Sequence, residues 1–335
     1  MASDDAGRAG GARLTMADLS RIAGVSKITV SRALRDSDLV RPELRARIRE
    51  LAESKGYRLN VAARDLRLQR RRRVAVIVEM QPSEERPMSD PYPLALLGGI
   101  VQECSSAGYG VLLTTAEPKM RAEVEDASGI ILLGQGSHDD AVRRLAGHRV
   151  PLVIWGADDG FDGQAIVVGS DNRHGGQQAA GHLLRAGRRR LAFVGDTSHA
   201  ELADRHAGFG ETAAAGGAAI VATCAAGFTV ASARAAVADL IAGGPAIDGL
   251  FAASDLMAIG AVEAIRAAGL TVPGDISVIG YDDSPAAAAH APPLSTIRQD
   301  WVAGGRLLAT KLIACLSGAP AASEMLETEL VARGT

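Results

Sequence analysis

The spacing of apolar residues changes once along this chain, near residue 74. Between residues 15 and 55 apolar positions recur every three or four residues, the spacing of one helical face. Leu19, Ile22 and Ala23 share one face of a first short run, and Val30, Ala33 and Leu34 share one face of a second. Gly24 stands between the runs and suits a tight turn, because glycine takes positive φ without steric cost. Ser26 is placed to cap the second run. A third run, 43–55, carries Leu44, Ile48, Leu51 and Ala52 on one stripe. Pro42 sits in its first turn, where a missing N–H costs nothing, and Gly56 follows its last residue. The expected core of this small helical unit is Leu19, Ile22, Val30, Leu34, Ile48 and Leu51.

From Val74 onward the apolar residues gather into short continuous runs. Strands are expected at 74–78, 111–113, 130–133, 151–155, 166–168, 191–194, 220–222, 249–252 and 276–279, with helices between them, among them 94–107 and 174–186. Alternation of this kind predicts parallel sheets covered on both faces. With more than 250 residues and roughly ten strands, two doubly wound lobes are expected rather than one. The fold class is therefore α/β: an all-α helix-turn-helix headpiece followed by a two-lobed, doubly wound parallel-sheet domain.

Charge sharpens this division. Residues 1–73 hold eighteen Lys/Arg against nine Asp/Glu, a balance of +9, and the remainder carries −12, giving −3 in all. A basic head on an acidic body is the pattern of a nucleic-acid-binding module joined to a separate domain. Aromatics are only 3% of the chain, so the cores must be built from Ala, Val, Ile and Leu. Cys104, Cys224 and Cys315 are widely spaced and form no C-x-x-C pair, which fits a reducing compartment and neither a disulfide framework nor a zinc site. Residues 1–13 are polar and Gly-rich, and are expected to be a disordered leader rather than a signal peptide. No apolar run approaches the ~18 residues that cross a bilayer. The expectation is a cytoplasmic protein with no membrane partner, nucleoid-associated when bound to DNA.

In the helical hairpin, the capping of the second helix by Ser26 leaves Lys27, Ile28, Thr29, Ser31 and Arg32 near its start or on its outer side. A recognition helix meets base edges and phosphates there. The run Asp18-Leu19-Ser20-x-x-Ala23-Gly24-Val25-Ser26-x-x-Thr29-Val30-Ser31-Arg32-x-Leu34 resembles the lactose-repressor/galactose-repressor (LacI/GalR) family of bacterial transcription regulators. The resemblance implies operator contacts by Thr15, Ser26, Lys27, Ile28, Thr29, Ser31 and Arg32. It also implies that residues 60–67 form a short hinge helix entering the minor groove. Asn60 would cap that helix, Ala63 would face the groove, Leu66 matches the residue wedged into the central base step, and Arg67 matches the basic residue beside it. One departure is visible: the family usually has proline where this chain has Leu59. The arginine run at 70–73 would then face phosphates.

The body of the chain resembles the family's effector domain, itself similar to periplasmic sugar-binding proteins. The resemblance rests on Val168-Gly169-Ser170-Asp171-Asn172-x-x-Gly175-Gly176, Phe251-Ala252-Ala253-Ser254-Asp255, Ser277-Val278-Ile279-Gly280-Tyr281-Asp282-Asp283 and Pro292-Pro293-Leu294-Ser295-Thr296-Ile297-Arg298-Gln299-Asp300. It implies a division into a leader (1–13), a headpiece (14–59), a hinge and linker (60–73) and an effector-binding and dimerisation domain (74–335). The first lobe would take 74–169 and 300–327, the second 170–298 and 328–335. Between 115 and 129 the family fits a long helix for which this chain has little room. The loop 80–93 is longer and richer in proline than usual.

An effector is expected at the carboxyl ends of the strands, where open parallel sheets leave a crevice. By resemblance Arg205 would grip it, since a guanidinium fork can donate to two hydroxyls or to a carboxylate. Asp282 would accept hydroxyl hydrogen bonds, Tyr92 and Phe228 would wall the pocket, and Ser254 and Asp255 follow another strand end. Trp155 ends a strand near the same mouth. Core packing is an equal reading for Phe228 and Trp155, and Asp255 reads better as a helix N-cap.

Enzyme signatures are missing: the chain has no G-x-S-x-G, P-loop, H-E-x-x-H or G-x-G-x-x-G, and no histidine has a partner at metal-ligand spacing. Neither a catalytic residue nor a metal nor a cofactor is expected. The resemblance thus implies a homodimeric regulator that binds double-stranded operator DNA and a sugar-like effector, most simply a repressor of a carbohydrate-utilisation operon. The last residues, 329–335, show no apolar heptads, so a dimer rather than a tetramer is expected. A corepressor logic with a nucleobase or phosphorylated ligand is the first alternative. A solute-binding or catalytic protein is the second.

Overall fold

The computed structural model describes residues 15–34, 39–55, 72–79, 90–115, 126–134, 145, 150–157 and 165–335. The leader, the hinge with Asn60, Ala63, Leu66 and Arg67, and most of the 80–93 and 115–129 segments lie outside the described residues. The chain divides into two compact units at Arg70/Arg71.

The first unit holds three helices, α1 (Met16–Ala23), α2 (Lys27–Ala33) and α3 (Pro42–Ser54). Local chemistry sets their ends. Thr15 and Asp18 form a reciprocal capping box at the start of α1, and Gly24 closes it at φ 69°. The Ser20 hydroxyl donates to the Val25 carbonyl across the turn at 2.5 Å. Ser26 then accepts from the Thr29 N–H at 3.1 Å and caps α2. Leu19, Ala23, Val30, Ala33, Val40, Ile48 and Ala52 make the core, with Leu34, Leu44 and Leu51 packed against it. Ile22 is not part of it: at 49% exposure it lies on the outer edge of the α1 stripe. The inward positions of so short a helix are filled by Leu19 and Ala23, four residues apart on one line. Arg47 reaches from α3 to the Ala23 carbonyl at 2.9 Å and fastens the third helix to the end of the first.

The second unit contains two six-stranded sheets. The first lobe is built from β1 (Arg73–Glu79), β2 (Gly110–Thr115), β3 (Gly129–Gly134), β4 (Leu152–Trp155), β5 (Ile166–Ser170) and β11 (Glu324–Leu326), in the order β2-β1-β3-β4-β5-β11, all parallel. The second is built from β6 (Arg190–Val194), β7 (Ala219–Cys224), β8 (Gly249–Ala252), β9 (Ser277–Asp282), β10 (Ser295–Arg298) and β12 (Glu329–Val331), in the order β7-β6-β8-β9-β10-β12. Only β12 runs antiparallel, against β10. Both sheets therefore reverse their strand order beside the first strand, and a ligand crevice opens at the carboxyl ends there.

Apolar side chains alternate across the sheets. In β1, Val74, Val76 and Val78 face α4 (Pro91–Ser106) and α10 (Trp301–Leu316), whereas Ala75 and Ile77 join the core on the opposite face. The second lobe buries Phe193, Phe209, Phe251 and Tyr281 among Ala, Val, Ile and Leu, with helices α5 (Asn172–Arg185), α6 (Ala200–Ala215), α7 (Val230–Gly243), α8 (Asp255–Ala267) and the short α9 (Pro285–Ala289). Helix α4 begins three residues before the apolar pattern suggested, because the Asp90 carboxylate caps it and Pro91 fits its first turn. Glycines let helix pairs meet backbone to backbone. A Cβ at Gly305 in α10 would stand 2.1 Å from the Leu96 carbonyl oxygen in α4, and one at Gly208 in α6 would stand 1.9 Å from that of Arg173 in α5.

The chain passes between the lobes three times, after β5, after β10 and between β11 and β12. These passages are bonded to each other. The Asp171 N–H donates to the Leu326 carbonyl (2.8 Å), the Gln178 amide to the Thr328 carbonyl (3.0 Å), and the Ser170 hydroxyl to Gln299 Oε1 (2.7 Å). Among the described residues no helix is long and apolar enough to cross a membrane.

Candidate functional site

The outer side of α2 carries the first group of candidate residues. Lys27, Ile28 and Arg32 are exposed, Ile28 by 64%, although an apolar side chain gains nothing from water. Thr29 and Ser31 are half-buried beside them. Thr15 and Ser26 hold the helix starts with their own hydroxyls, so their first role is to aim the helices.

The second site is a cleft between the two lobes. It encloses about 330 Å³ of atom-free space, open mouth included, and is bordered from the first lobe by Tyr92, Trp155, Gly156 and Ser170. Asn172, Glu201, Leu202, Arg205 and Phe228 border it from the second lobe, and Gln299 from a crossing strand. Apart from Arg205, which stands one turn further into α6, each of these follows, or ends, a strand at its carboxyl edge, or starts the helix after it. The cleft thus occupies the crevice that parallel sheets create.

Arg205 is its electrostatic centre. It is 4% exposed; its Nε donates to Asn172 Oδ1 at 2.8 Å and its Nη1 to the Ala253 carbonyl at 2.6 Å. Its guanidinium carbon lies 3.6 Å from the centroid of the Tyr281 ring, whose hydroxyl donates to the same Asn172 oxygen. Two of its five N–H donors are committed in this way, and the fork borders the cleft. Tyr92 stands edge-on to Trp301 at 5.5 Å, and Phe228 edge-on to His199 at 5.7 Å. Trp155 both borders the cleft and packs in the first-lobe core, against Gly304.

Asp282 sits at the end of β9, half-buried behind Gln299, whose amide donates to its Oδ1 at 2.7 Å. Its backbone has φ 122° and that of Asp283 φ 55°, in a region costly for residues with a Cβ. Surrounding bonds hold them there. Asp283 accepts from Arg298 (2.7 Å) and Arg333 (2.5 Å), and these two arginines keep its carboxyl below the ordinary range although burial works against them. Asp282 is pushed up by burial and by the negative charge of Asp255, with Arg205 and Gln299 opposing. Asp255 is likewise raised by burial, against bonds from Thr296 and Ser284.

The two strand-end residues Ser254 and Asp255 are placed differently from expectation. Ser254, not Asp255, is the N-cap of α8, accepting from the Met257 N–H at 3.3 Å. Asp255 is the first helical residue; its carboxylate turns inward to the Thr296 hydroxyl (2.6 Å) and the Ser284 N–H (2.7 Å). Neither side chain borders the cleft. Sequence reasoning had not singled out Asn172, Glu201, Leu202 or Gln299 for it.

A pH effect follows from the two raised carboxyls. Each binds its proton more tightly folded than unfolded, so their contribution to stability is complete in acid and is lost as pH rises through the raised values. Denaturant unfolding at pH 5 and pH 8 is expected to show lower stability at pH 8, with a smaller difference in Asp282→Asn. An unchanged difference would place the titration elsewhere.

Residues 15–60 match the family described as bacterial regulatory proteins, lacI family, and residues 180–335 match the periplasmic binding protein-like domain. The chain is 31% identical to the HTH-type transcriptional regulator CelR of Thermobifida fusca over 334 residues, covering 96% of this chain and 98% of that one. It belongs to the LacI family. Within it, the HTH-type transcriptional regulator GntR of Pseudomonas aeruginosa is 32% identical, with 96% of this chain and 95% of that one covered. A solved CelR–cellobiose complex aligns with a TM-score of 0.72 at 29% identity, covering 96% of this chain and 99% of that one. The Lac repressor dimer bound to operator and the anti-inducer ONPF shares the fold, with a TM-score of 0.84 at 23% identity over 97% of this chain and 99% of that one. This LacI-family chain is accordingly a DNA-binding transcription regulator with a helix-turn-helix headpiece and a periplasmic-binding-protein-like domain.

Proposed function

We propose that this regulator is a homodimeric, cytoplasmic repressor of a carbohydrate-utilisation operon, released from operator DNA when a sugar-like effector enters the interlobe cleft. The observation that carries the reading is the cleft itself: a buried arginine, amide and carboxylate groups, and aromatic walls, as hydroxylated rings require. The CelR–cellobiose complex supports it. The chain acts by binding rather than by catalysis. A ligand preferring one lobe arrangement shifts the balance between DNA-binding and released states, a coupling of typically ~1–3 kcal/mol. Operator binding with and without a sugar panel tests this: release supports it, and tighter binding would mark a corepressor instead.

Lys27, Ile28, Thr29, Ser31 and Arg32 are assigned to operator readout, with Thr15 and Ser26 positioning them. Asn60, Ala63, Leu66 and Arg67 are assigned to the minor groove by resemblance. Arg32→Ala is expected to cost ~1–3 kcal/mol on the operator and to relax preference at one base pair. Equal weakening on random DNA would show that Arg32 only holds phosphate.

For the dimer, an exposed apolar surface on the first lobe provides the support. Leu94 and Val101, seven residues apart and so on one face of α4, are exposed, as are Leu113 of β2 and Val302 at the start of α10. Leu94→Glu combined with Val101→Glu is expected to convert a dimer to a monomer in light scattering. A dimer that survives both changes would move the interface elsewhere.

A further inference from the structure

Gln299 stands where the chain leaves the second lobe for the first, one residue past β10 and two before α10. Its side chain is buried, and both ends of its amide are committed. Oε1 accepts from the hydroxyl of Ser170, the last residue of β5 in the first sheet, at 2.7 Å. Nε2 donates to Oδ1 of Asp282, the last residue of β9 in the second sheet, at 2.7 Å. One uncharged side chain thus links the carboxyl ends of two strands in different lobes. Two other bonds between the passages, Asp171 to Leu326 and Gln178 to Thr328, end on main-chain carbonyls. The Gln299 chain differs in its place: both Ser170 and Gln299 border the cleft, so an occupant reaches it. Charge does not decide the Asp282 bond, because a carboxyl keeps an accepting oxygen whether ionised or neutral.

We propose that the Ser170–Gln299–Asp282 chain is an interlobe latch, which holds the lobes in the arrangement described above before any ligand binds. Hinges are a few residues at element ends that absorb a change in backbone angles, and Ser170 and Gln299 occupy two such positions. Tying them to each other and to the end of β9 restricts turning about either passage. The latch goes beyond the effector reading, since it acts without a ligand; only its consequence for operator binding rests on that reading. The rival role is packing, with Gln299 merely filling space beneath the cleft. Methionine has nearly the same volume and no amide, so Gln299→Met keeps the packing and removes both bonds.

The chain's two tryptophans report on the cleft without a ligand: Trp155 borders it, and Trp301 packs edge-on against Tyr92, which also borders it. The test is acrylamide quenching of their fluorescence in the full-length protein and in Ser170→Ala, Gln299→Met and the double variant, each checked for folding by circular dichroism. Loss of one ordinary hydrogen bond shifts a two-state balance roughly fivefold. The quenchable fraction is therefore expected to rise in Ser170→Ala and further in Gln299→Met. The double variant is expected to match Gln299→Met, because one chain cannot be broken twice. Wild-type quenching in Gln299→Met, or additive changes in the double variant, overturns the proposal. Should Gln299→Met not fold, Ser170→Ala carries the test alone, and unchanged quenching there overturns the latch. Operator affinity without ligand is measured on the same variants. A change that follows the quenching joins the latch to DNA binding. If quenching rises while operator affinity stays fixed, the latch stands, and the reading that lobe arrangement controls release falls.

Discussion

Replacing Arg205 with alanine is expected to leave operator binding intact and to abolish its release by the effector. The side chain is buried, and its truncation removes one of the two donors to the Asn172 oxygen, takes the Arg205 bond from the Ala253 carbonyl and uncovers the Tyr281 ring. A hydrogen bond involving a charged group contributes ~1.5–3 kcal/mol, so losing even one to the effector lowers affinity ten- to a hundredfold. Stability of the second lobe should fall as well. Arg205→Lys separates the two effects: it keeps the charge but not the planar fork, so it should recover more stability than effector affinity. Effector titrations on operator-bound protein, alongside denaturant unfolding, measure both. A variant that is still released at wild-type effector concentrations would remove Arg205 from the site.

Gly208→Ala is expected to have the largest effect of any single-methyl addition in the second lobe. The added carbon would overlap the Arg173 carbonyl oxygen, and backbone cannot swing aside as a side-chain end can. Across the same contact, a Cβ at Gly176 would lie 2.1 Å from the Arg205 carbonyl oxygen, so forcing α5 from α6 also moves the backbone that carries Arg205. Overpacking of this kind costs ~1–3 kcal/mol, and effector affinity should drop with stability. Gly210→Ala on the same helix is the control. Its Cβ would meet only the end of Ile220 at 3.4 Å, and losing a helical glycine there should be neutral or mildly stabilising. Equal unfolding midpoints for the two variants would show that the helices can separate freely.

What could be read in the sequence was local or periodic. The Gly24 turn and the Ser26 cap depend on neighbours within three or four residues, and both stand as expected. The alternation of strands and helices is carried by runs of Val, Ile and Leu long enough to survive any register error. Ile22 was misread because a period places a residue on a stripe without saying where the stripe meets water. The cap of α8 was displaced by one residue because Ser254 and Asp255 are both good caps, and only the inward partners Thr296 and Ser284, far along the chain, decide between them. Strands β11 and β12, three residues each, are too short to show a period. Asn172, Glu201 and Gln299 enter the cleft from distant segments, and their meeting follows from topology rather than from any motif. The same holds for Gly176 and Gly208, whose need for a bare Cα exists only once their helices touch.

The three passages between the lobes impose an order on biosynthesis. The second lobe is made largely from one continuous stretch, from α5 through β10, and lacks only the edge strand β12 until the end. The first lobe is started earlier but must wait: α10 supplies Trp301, Leu308, Ala309 and Leu312 to its core, and β11 completes its sheet. As the chain leaves the ribosome, the lobe translated first is therefore the one completed last, and its apolar face stays open while the younger lobe folds. A nascent chain stalled after residue 300 should already protect the second lobe from proteolysis and leave the first open to digestion and to chaperones. Nonsense mutations late in the reading frame would then damage the half of the domain encoded at its beginning.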